Sequence, residues 1–319
     1  MKLTNEQIRP ILFGAAEIVE SDGILHPYKC TAPIRAAWYA FSHDKTLGQR
    51  AEATTGIRLD FHTDAREITF TVAGNPFEVQ IDGLYAQSSP KSETPLPLTV
   101  ETDGKGHRIT LLFPFHDNIT GTFYAMEISD GATVTPHKYD TKFLFLGDSI
   151  TQGWNAGKDG LCYAWRTAQF FNADCIIHGV GGGFFDPSIF EAPAGFDPDR
   201  IFVAFGTNDF VLYQTLDELR LRTGQYLDLV VGAYEGKKIY GITPIWPLHA
   251  KIDRAMGSFD QCIAVIREEY EKRSIPVIDG LTLVPHDEAF FADAVHPNAL
   301  GFAAYSQNLI REILNSDKE

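Results

Sequence analysis

The run Lys142-Phe-Leu-Phe-Leu-Gly-Asp-Ser-Ile-Thr-Gln-Gly153 decides how the rest of the chain is read. Its apolar quartet, Phe143 to Leu146, has the length and continuity of a short strand buried on both faces, and Gly147 breaks it before polar residues able to open a helix. Ser149 is thereby set at the carboxyl end of a parallel strand, the edge at which open α/β sheets hold ligands. A serine after Gly-Asp in such a turn is also an ordinary helix cap, so its meaning depends on the residues downstream.

Downstream, strands and helices alternate. Beyond a connection around Thr135 to Thr141, marked by Pro136, strand runs are expected at Phe143 to Leu146, Ala173 to Ile177, Ile201 to Phe205, Lys238 to Ile242 and Pro276 to Ile278. Between and after them, Phe259, Cys262, Ile263, Ile266 and Tyr270 fall at helical spacing, as do Phe302, Tyr305, Leu309 and Ile313. Strand and helix in turn predict an α/β unit with a parallel sheet, about five strands wide, covered by helices on both faces.

Upstream, from about Arg9 to Pro136, the pattern changes to short alternating strands. Gly56 to Thr63, Arg66 to Val72 and Phe77 to Ile81 alternate clearly, and Ser21-Asp22-Gly23, Gly74-Asn75-Pro76, Asp82-Gly83, Asp103-Gly104 and Asp130-Gly131 supply turns. An all-β sandwich of jelly-roll type is expected at residues 1–138, followed by the α/β domain at 139–319. Trp38, Tyr39 and Phe41 are read as sandwich core in preference to a sugar-stacking platform, because half-buried strands favour aromatics whatever their function.

The 319 residues, 44% of them hydrophobic, suffice for two cores. Acidic residues outnumber basic ones by 42 to 27, a net charge of −15 that disfavours nucleic acid as a partner. No apolar run has the ~18 residues of a membrane span. The opening Met1-Lys-Leu-Thr-Asn-Glu-Gln7 turns polar too soon for a signal peptide, so no membrane partner and a cytoplasmic address are expected. Cys30, Cys162, Cys175 and Cys262 are spaced too widely for a zinc site or a disulfide framework and read as buried thiols.

Three further polar segments leave the same sheet edge as Ser149. They are His178-Gly-Val-Gly-Gly-Gly183, Gly206-Thr-Asn-Asp209 and Asp293-Ala-Val-His-Pro-Asn298. Acyl transfer needs a hydroxyl, a base, a group that orients the base, and donors aimed at the developing oxyanion. Ser149, His296 and Asp293 fill the first three roles, while the Ser149 N–H, a glycine N–H from the second segment and the Asn208 amide can serve as donors. Trp154, Phe184, Phe185, Asp186 and Trp246 should lie on the same side of the sheet, where rings could stack on a sugar or close an acyl pocket. Core packing accounts for each of them equally well. His178 and His249 read as structural, and His286 as a rim residue.

Taken together, Gly147-Asp-Ser-Ile150, the glycine segment, Gly206-Thr-Asn-Asp209 and Asp293-x-x-His296 resemble the four blocks of the SGNH (GDSL-type) hydrolases, in order and in position on the sheet. The resemblance implies a flavodoxin-like three-layer fold and ester hydrolysis through an acyl-enzyme, without metal or cofactor. It implies Ser149 as nucleophile, Asp293 and His296 as its partners, and Ser149, a second-block glycine and Asn208 as the oxyanion hole. The second block lacks the usual Gly-x-Ser-Gly wording; alignment selects Gly182, with Gly181 and Gly183 as alternatives. A β-sandwich ahead of this domain further resembles two-domain carbohydrate acetyl esterases such as carbohydrate esterase family two. The expected substrate is a small acyl ester, an O-acetyl group on a carbohydrate or oligosaccharide, with a lipid or thioester acyl hydrolase and a non-catalytic sugar-binding protein as rivals.

Overall fold

The computed structural model describes residues 1–115 and 121–318. In the first part, alternation sorts side chains between two larger antiparallel sheets, beside a hairpin of Glu17–Ser21 and Ile24–Tyr28. Leu12–Phe13, Arg58–Thr63, His107–Leu112, Glu78–Ile81 and Leu84–Ser88 pair in that order, with Val134–Pro136 also along Arg58–Thr63. Thr122–Ile128, Glu67–Gly74 and Ser92–Glu101 make the second sheet. Leu59, Phe61, Ile109 and Leu111 of one sheet share a core with Ile68, Phe70, Val72 and Met126 of the other, as two sheets buried face to face require.

Beyond a single helical turn at Asn5–Ile8, a longer stretch departs from the expected all-β pattern. Trp38, Tyr39 and Phe41 are not strand residues of the sandwich: helix α1 (Ala32–Phe41) holds all three, and helix α2 (Thr46–Glu52) comes directly after it. Pro33 sits in the first turn of α1, where its missing N–H leaves no intrahelical bond unmade. Ile34 and Trp38, four residues apart, therefore share a face. That face is buried against the α/β part of the chain: Cys30, Ile34, Trp38 and Ala51 belong to the same core as Leu144, Ile201 and Val203. Phe41, at the end of α1, remains 41% exposed.

The second part is the expected parallel sheet. Strands β1 (Thr141–Gly147), β2 (Ala173–Gly179), β3 (Arg200–Ala204), β4 (Lys238–Ile242) and β5 (Val277–Ile278) lie in the order β2-β1-β3-β4-β5, every pair parallel. Helices α3 (Ser149–Gln152), α4 (Tyr163–Phe170), α5 (Asp209–Leu212), α6 (Leu216–Ala233), α7 (Phe259–Glu271) and α8 (Ala299–Ser316) run between and after them.

Successive residues of β1 face opposite layers. Phe143 and Phe145 pack with Trp165 of α4 and Tyr305 and Leu309 of α8, while Leu144 and Leu146 pack with Tyr226 of α6 and Ile266 of α7. Each buried Leu or Phe contributes about 1.5–3 kcal/mol relative to exposure, so a slip of one residue would exchange two complete cores. The chain moves from β1 to β2 on one side and then to β3 on the other, which opens a crevice at the carboxyl ends of these strands.

The two parts are also joined by buried charge. Arg58 Nη2 lies 2.8 Å from Asp174 Oδ1 on β2, while within the first part Asp60 receives the Arg108 guanidinium through two bonds of 2.9 and 2.7 Å. The four cysteines are buried and unpaired. Among the described residues no helix is long and apolar enough to cross a membrane.

Candidate active site

Ser149 owes its position to its neighbours. The Asp148 carboxylate caps α3 by accepting the Ile150 N–H at 2.9 Å, which starts the helix one residue after the strand ends. Gly147 and Gly179 let this turn lie flat on the ends of β1 and β2. A Cβ at Gly147 would stand 2.1 Å from Thr151 Oγ1, and one at Gly179 would stand 2.2 Å from the Gln152 nitrogen.

The histidine arrives from the loop before α8. Asn298 caps α8 by accepting the Leu300 and Gly301 N–H groups, and its own amide donates to Ala289 O and Phe291 O, so the loop is closed at its base. Asp293 Oδ1 accepts the backbone N–H groups of Val295 and His296, both at 2.8 Å, which curls the loop and turns the imidazole towards the carboxylate. His296 Nδ1 lies 2.8 Å from Asp293 Oδ2, and His296 Nε2 lies 2.8 Å from Ser149 Oγ. A proton on Nδ1 satisfies the carboxylate and leaves Nε2 to accept the serine proton. Burial works to raise the Asp293 pKa, but the His296 backbone and ring N–H and the Val295 N–H outweigh it, and the carboxyl is held below its ordinary value.

Sequence reasoning does not find Asn155. Its side-chain amide donates to Asp293 Oδ2 at 2.8 Å from a backbone with φ of 67°, a left-handed conformation that asparagine tolerates better than most residues. A lone Asn six residues beyond the serine carries no spacing signal that would point to it.

The glycine segment separates its three candidates. The Gly181 N–H is taken by Gln152 Oε1 at 2.7 Å, and the Gly183 N–H closes a turn onto Val180 O at 2.8 Å. Gly182 has φ of +84° and, among the described residues, no acceptor for its N–H. Asn208 Nδ2 gives one hydrogen to Gly183 O at 2.9 Å, which orients the amide and leaves its other hydrogen free for a ligand. Gln152, fully buried in the stretch that ends at Gly153, is a second residue whose role sequence alone does not reveal; its Nε2 donates to Phe115 O while its Oε1 fixes Gly181.

Gly182 and Asn208 line a cleft of about 570 Å³ with Phe41, Leu47, Phe184 and Leu212. Phe184 forms its wall by packing edge-on to Trp38 and Phe41, at 5.7 and 5.1 Å between centroids. Asp186 also borders the cleft, but its carboxylate is engaged by Ser188 and by Arg222 at 3.2 Å. Phe185 is fully buried among Phe205, Tyr226 and Tyr270 and does not reach the cleft. Trp154 is tilted beside His296, 6.1 Å between ring centroids. Trp246 stacks on His286 at 4.9 Å. His178 is buried, and burial pushes its pKa down to about 4. His249 is half-buried, which likewise lowers it.

Two carboxyls beneath the site are unusual. Burial pushes Asp148 up to about 7 against the pull of the Ile150 N–H, the Thr207 hydroxyl and the Thr151 N–H. Asp209 is also pushed up to about 7 by burial, with only partial relief from the Phe185 N–H, and its buried Oδ2 has no hydrogen-bond partner among the described residues.

Comparison with known proteins gives a family and a set of shared folds. Residues 145–304 match the GDSL-like Lipase/Acylhydrolase family. Search of the curated proteins returns no match. Among solved structures, a salicylyl-acyltransferase from a tetracycline biosynthetic pathway superposes with a TM-score of 0.83 at 16% identity, covering 99% of this chain and 97% of that one. A putative GDSL-like lipase from Bacteroides ovatus gives 0.76 at 17% identity, covering 99% and 98%. A family two carbohydrate esterase from Clostridium thermocellum, in complex with cellohexaose, gives 0.68 at 16% identity, covering 83% and 93%. At these identities the superpositions establish the shared fold.

Proposed function

The chain belongs to the GDSL-like lipase/acylhydrolase family, and from that premise we propose that it is a serine esterase that removes small acyl groups, O-acetyl groups on carbohydrates in particular. The observation that carries the reading is the unbroken line Asp293–His296–Ser149, with 2.8 Å at each step. In this mechanism Nε2 of His296 takes the Ser149 proton as Oγ attacks the ester carbonyl. The carbonyl oxygen, now negative, is received by the N–H groups of Ser149 and Gly182 and by the Asn208 amide. The imidazolium then protonates the leaving alcohol, and a water activated by the same ring releases the acid from the acyl-enzyme.

The carbohydrate assignment draws on the likeness to the esterase seen with cellohexaose and on half-buried Trp154, which lies beside His296 and whose ring suits a sugar face. The apolar walls of the cleft, Phe41, Leu47, Phe184 and Leu212, favour the second reading, an acyl hydrolase for longer chains such as a lipid or thioester. p-Nitrophenyl esters from acetate to octanoate, and then acetylated xylo- and manno-oligosaccharides, decide between them. The first reading expects acetate to be the best ester and free acetate to be released from the sugars; rates that climb towards octanoate replace it with the second. Ser149→Ala should be folded and inactive on p-nitrophenyl acetate, and an active Ser149→Ala removes both. Alcohol acceptors belong in the assay because the acyltransferase shares this fold over 99% of the chain; the ratio of free acid to new ester shows which nucleophile accepts the acyl group. We place the activity in the cytoplasm, to be checked by cell fractionation.

A further inference from the structure

Arg50, at the carboxyl end of α2, comes from the part of the chain that precedes the catalytic fold altogether. Its Nη1 donates to Gly181 O at 3.1 Å, and its guanidinium lies over the Trp154 ring, 5.0 Å from the centroid. Among the described residues it forms no ion pair, and its Nε is buried without an acceptor. In a chain with a net charge of −15, an arginine held beside a glycine turn without a carboxylate partner calls for an explanation.

The carbonyl that Arg50 grips belongs to the peptide joining Gly181 to Gly182. In a trans peptide the C=O and the N–H point in opposite directions, so an anchor on Gly181 O fixes the direction of the Gly182 N–H. A carbonyl that accepts from a cation also polarises its own peptide, which makes the N–H at the other end a stronger donor. The same segment is held on either side. Lys29 Nζ donates to Gly179 O at 2.7 Å and to Arg50 O at 2.9 Å, and Gln152 Oε1 accepts the Gly181 N–H. Arg50 Nη1 would be only 3.2 Å from a Cβ placed on Gly182, so the guanidinium packs against this peptide as well as bonding to it.

We propose that Arg50 is a positioning residue that aims and polarises the Gly181–Gly182 peptide for oxyanion stabilisation, so that the segment ahead of the catalytic fold supplies part of the catalytic power. This rests on the esterase reading for its consequence, but not for its geometry. Arg50 need not touch the substrate.

The test uses the full chain grown with glycine labelled at the carbonyl carbon and the nitrogen. Only 181–183 places glycines in succession in this sequence, so only the amides of Gly182 and Gly183 show carbon–nitrogen coupling and can be followed without full assignment. In Arg50→Met the Gly182 amide proton should move upfield, with an intermediate position in Arg50→Lys. On p-nitrophenyl acetate, kcat should fall about tenfold with KM within about twofold, a part of the ~10²–10³ that accompanies loss of an oxyanion donor outright. Millimolar guanidinium should restore most of the kcat lost in Arg50→Ala. An unmoved Gly182 resonance, or an unchanged kcat in a folded Arg50→Met, overturns the proposal. If the wild-type protein turns over no ester, the esterase reading fails, and the Gly182 resonance still decides whether Arg50 polarises the peptide.

Discussion

In the proposed triad Asp293 would orient His296 from a wet setting, since its side chain is 45% exposed. A buried orienting carboxylate is worth about 10⁴ in rate, but water screens an exposed one. Asp293→Ala is therefore expected to lower kcat by only about 10- to 100-fold, measured on p-nitrophenyl acetate; a loss near 10⁴ would show that screening by water does not weaken its role. Asp209 supports a second expectation. Its folded pKa, about 7, lies above that of an unfolded carboxyl, so the native state holds the proton more tightly and its contribution to stability is complete below about pH 4, then lost as pH rises to about 7. Asp209→Asn cannot ionise. The difference in Tm, variant minus wild type, should thus grow in favour of the variant between pH 4 and 7 and level off above, and a difference that is flat across this range would contradict a proton on Asp209.

The elements around the site are positioned by close approach. A Cβ at Gly179 would meet the Gln152 backbone at 2.2 Å and the Thr151 carbonyl carbon at 2.6 Å. Neither can rotate away, so Gly179→Ala must lift α3 and Ser149 with it. Activity should drop by more than tenfold, with a stability loss of about 1–3 kcal/mol from overpacking, read by kcat and denaturant titration. The strands that support this arrangement are legible from sequence, because continuous apolar runs such as Phe143 to Leu146 have few alternatives inside an α/β pattern. The four chemical segments are legible because each is a polar burst at the end of such a run or just before a helix. α1 is not: Ile34 and Trp38 give a helical stripe of only two residues, and the surrounding aromatics look equally suited to a pleated surface. Arg50, Lys29 and Asn155 are hidden for a different reason. Their partners are a carbonyl, another carbonyl and a carboxylate 138 residues away, and neither spacing nor periodicity encodes such contacts.

At the scale of the molecule, the core below the parallel sheet is not complete without the first third of the chain. Cys30, Ile34, Trp38 and Ala51 are each no more than 3% exposed within it. A fragment of residues 139–319 expressed alone should bind a hydrophobic dye and lack a cooperative thermal transition, and a fragment that melts sharply and stays soluble would contradict this. Arg58 leads to the same expectation, since removing it would leave Asp174 on β2 without its partner guanidinium at 2.8 Å. The face of α1 that carries Ile34 and Trp38 also has a history during synthesis. It leaves the ribosome more than a hundred residues before Leu144 and Ile201, the neighbours that will cover it. Until they emerge the nascent polypeptide displays a greasy, unmatched surface, which makes this protein a natural client for chaperones that act during translation.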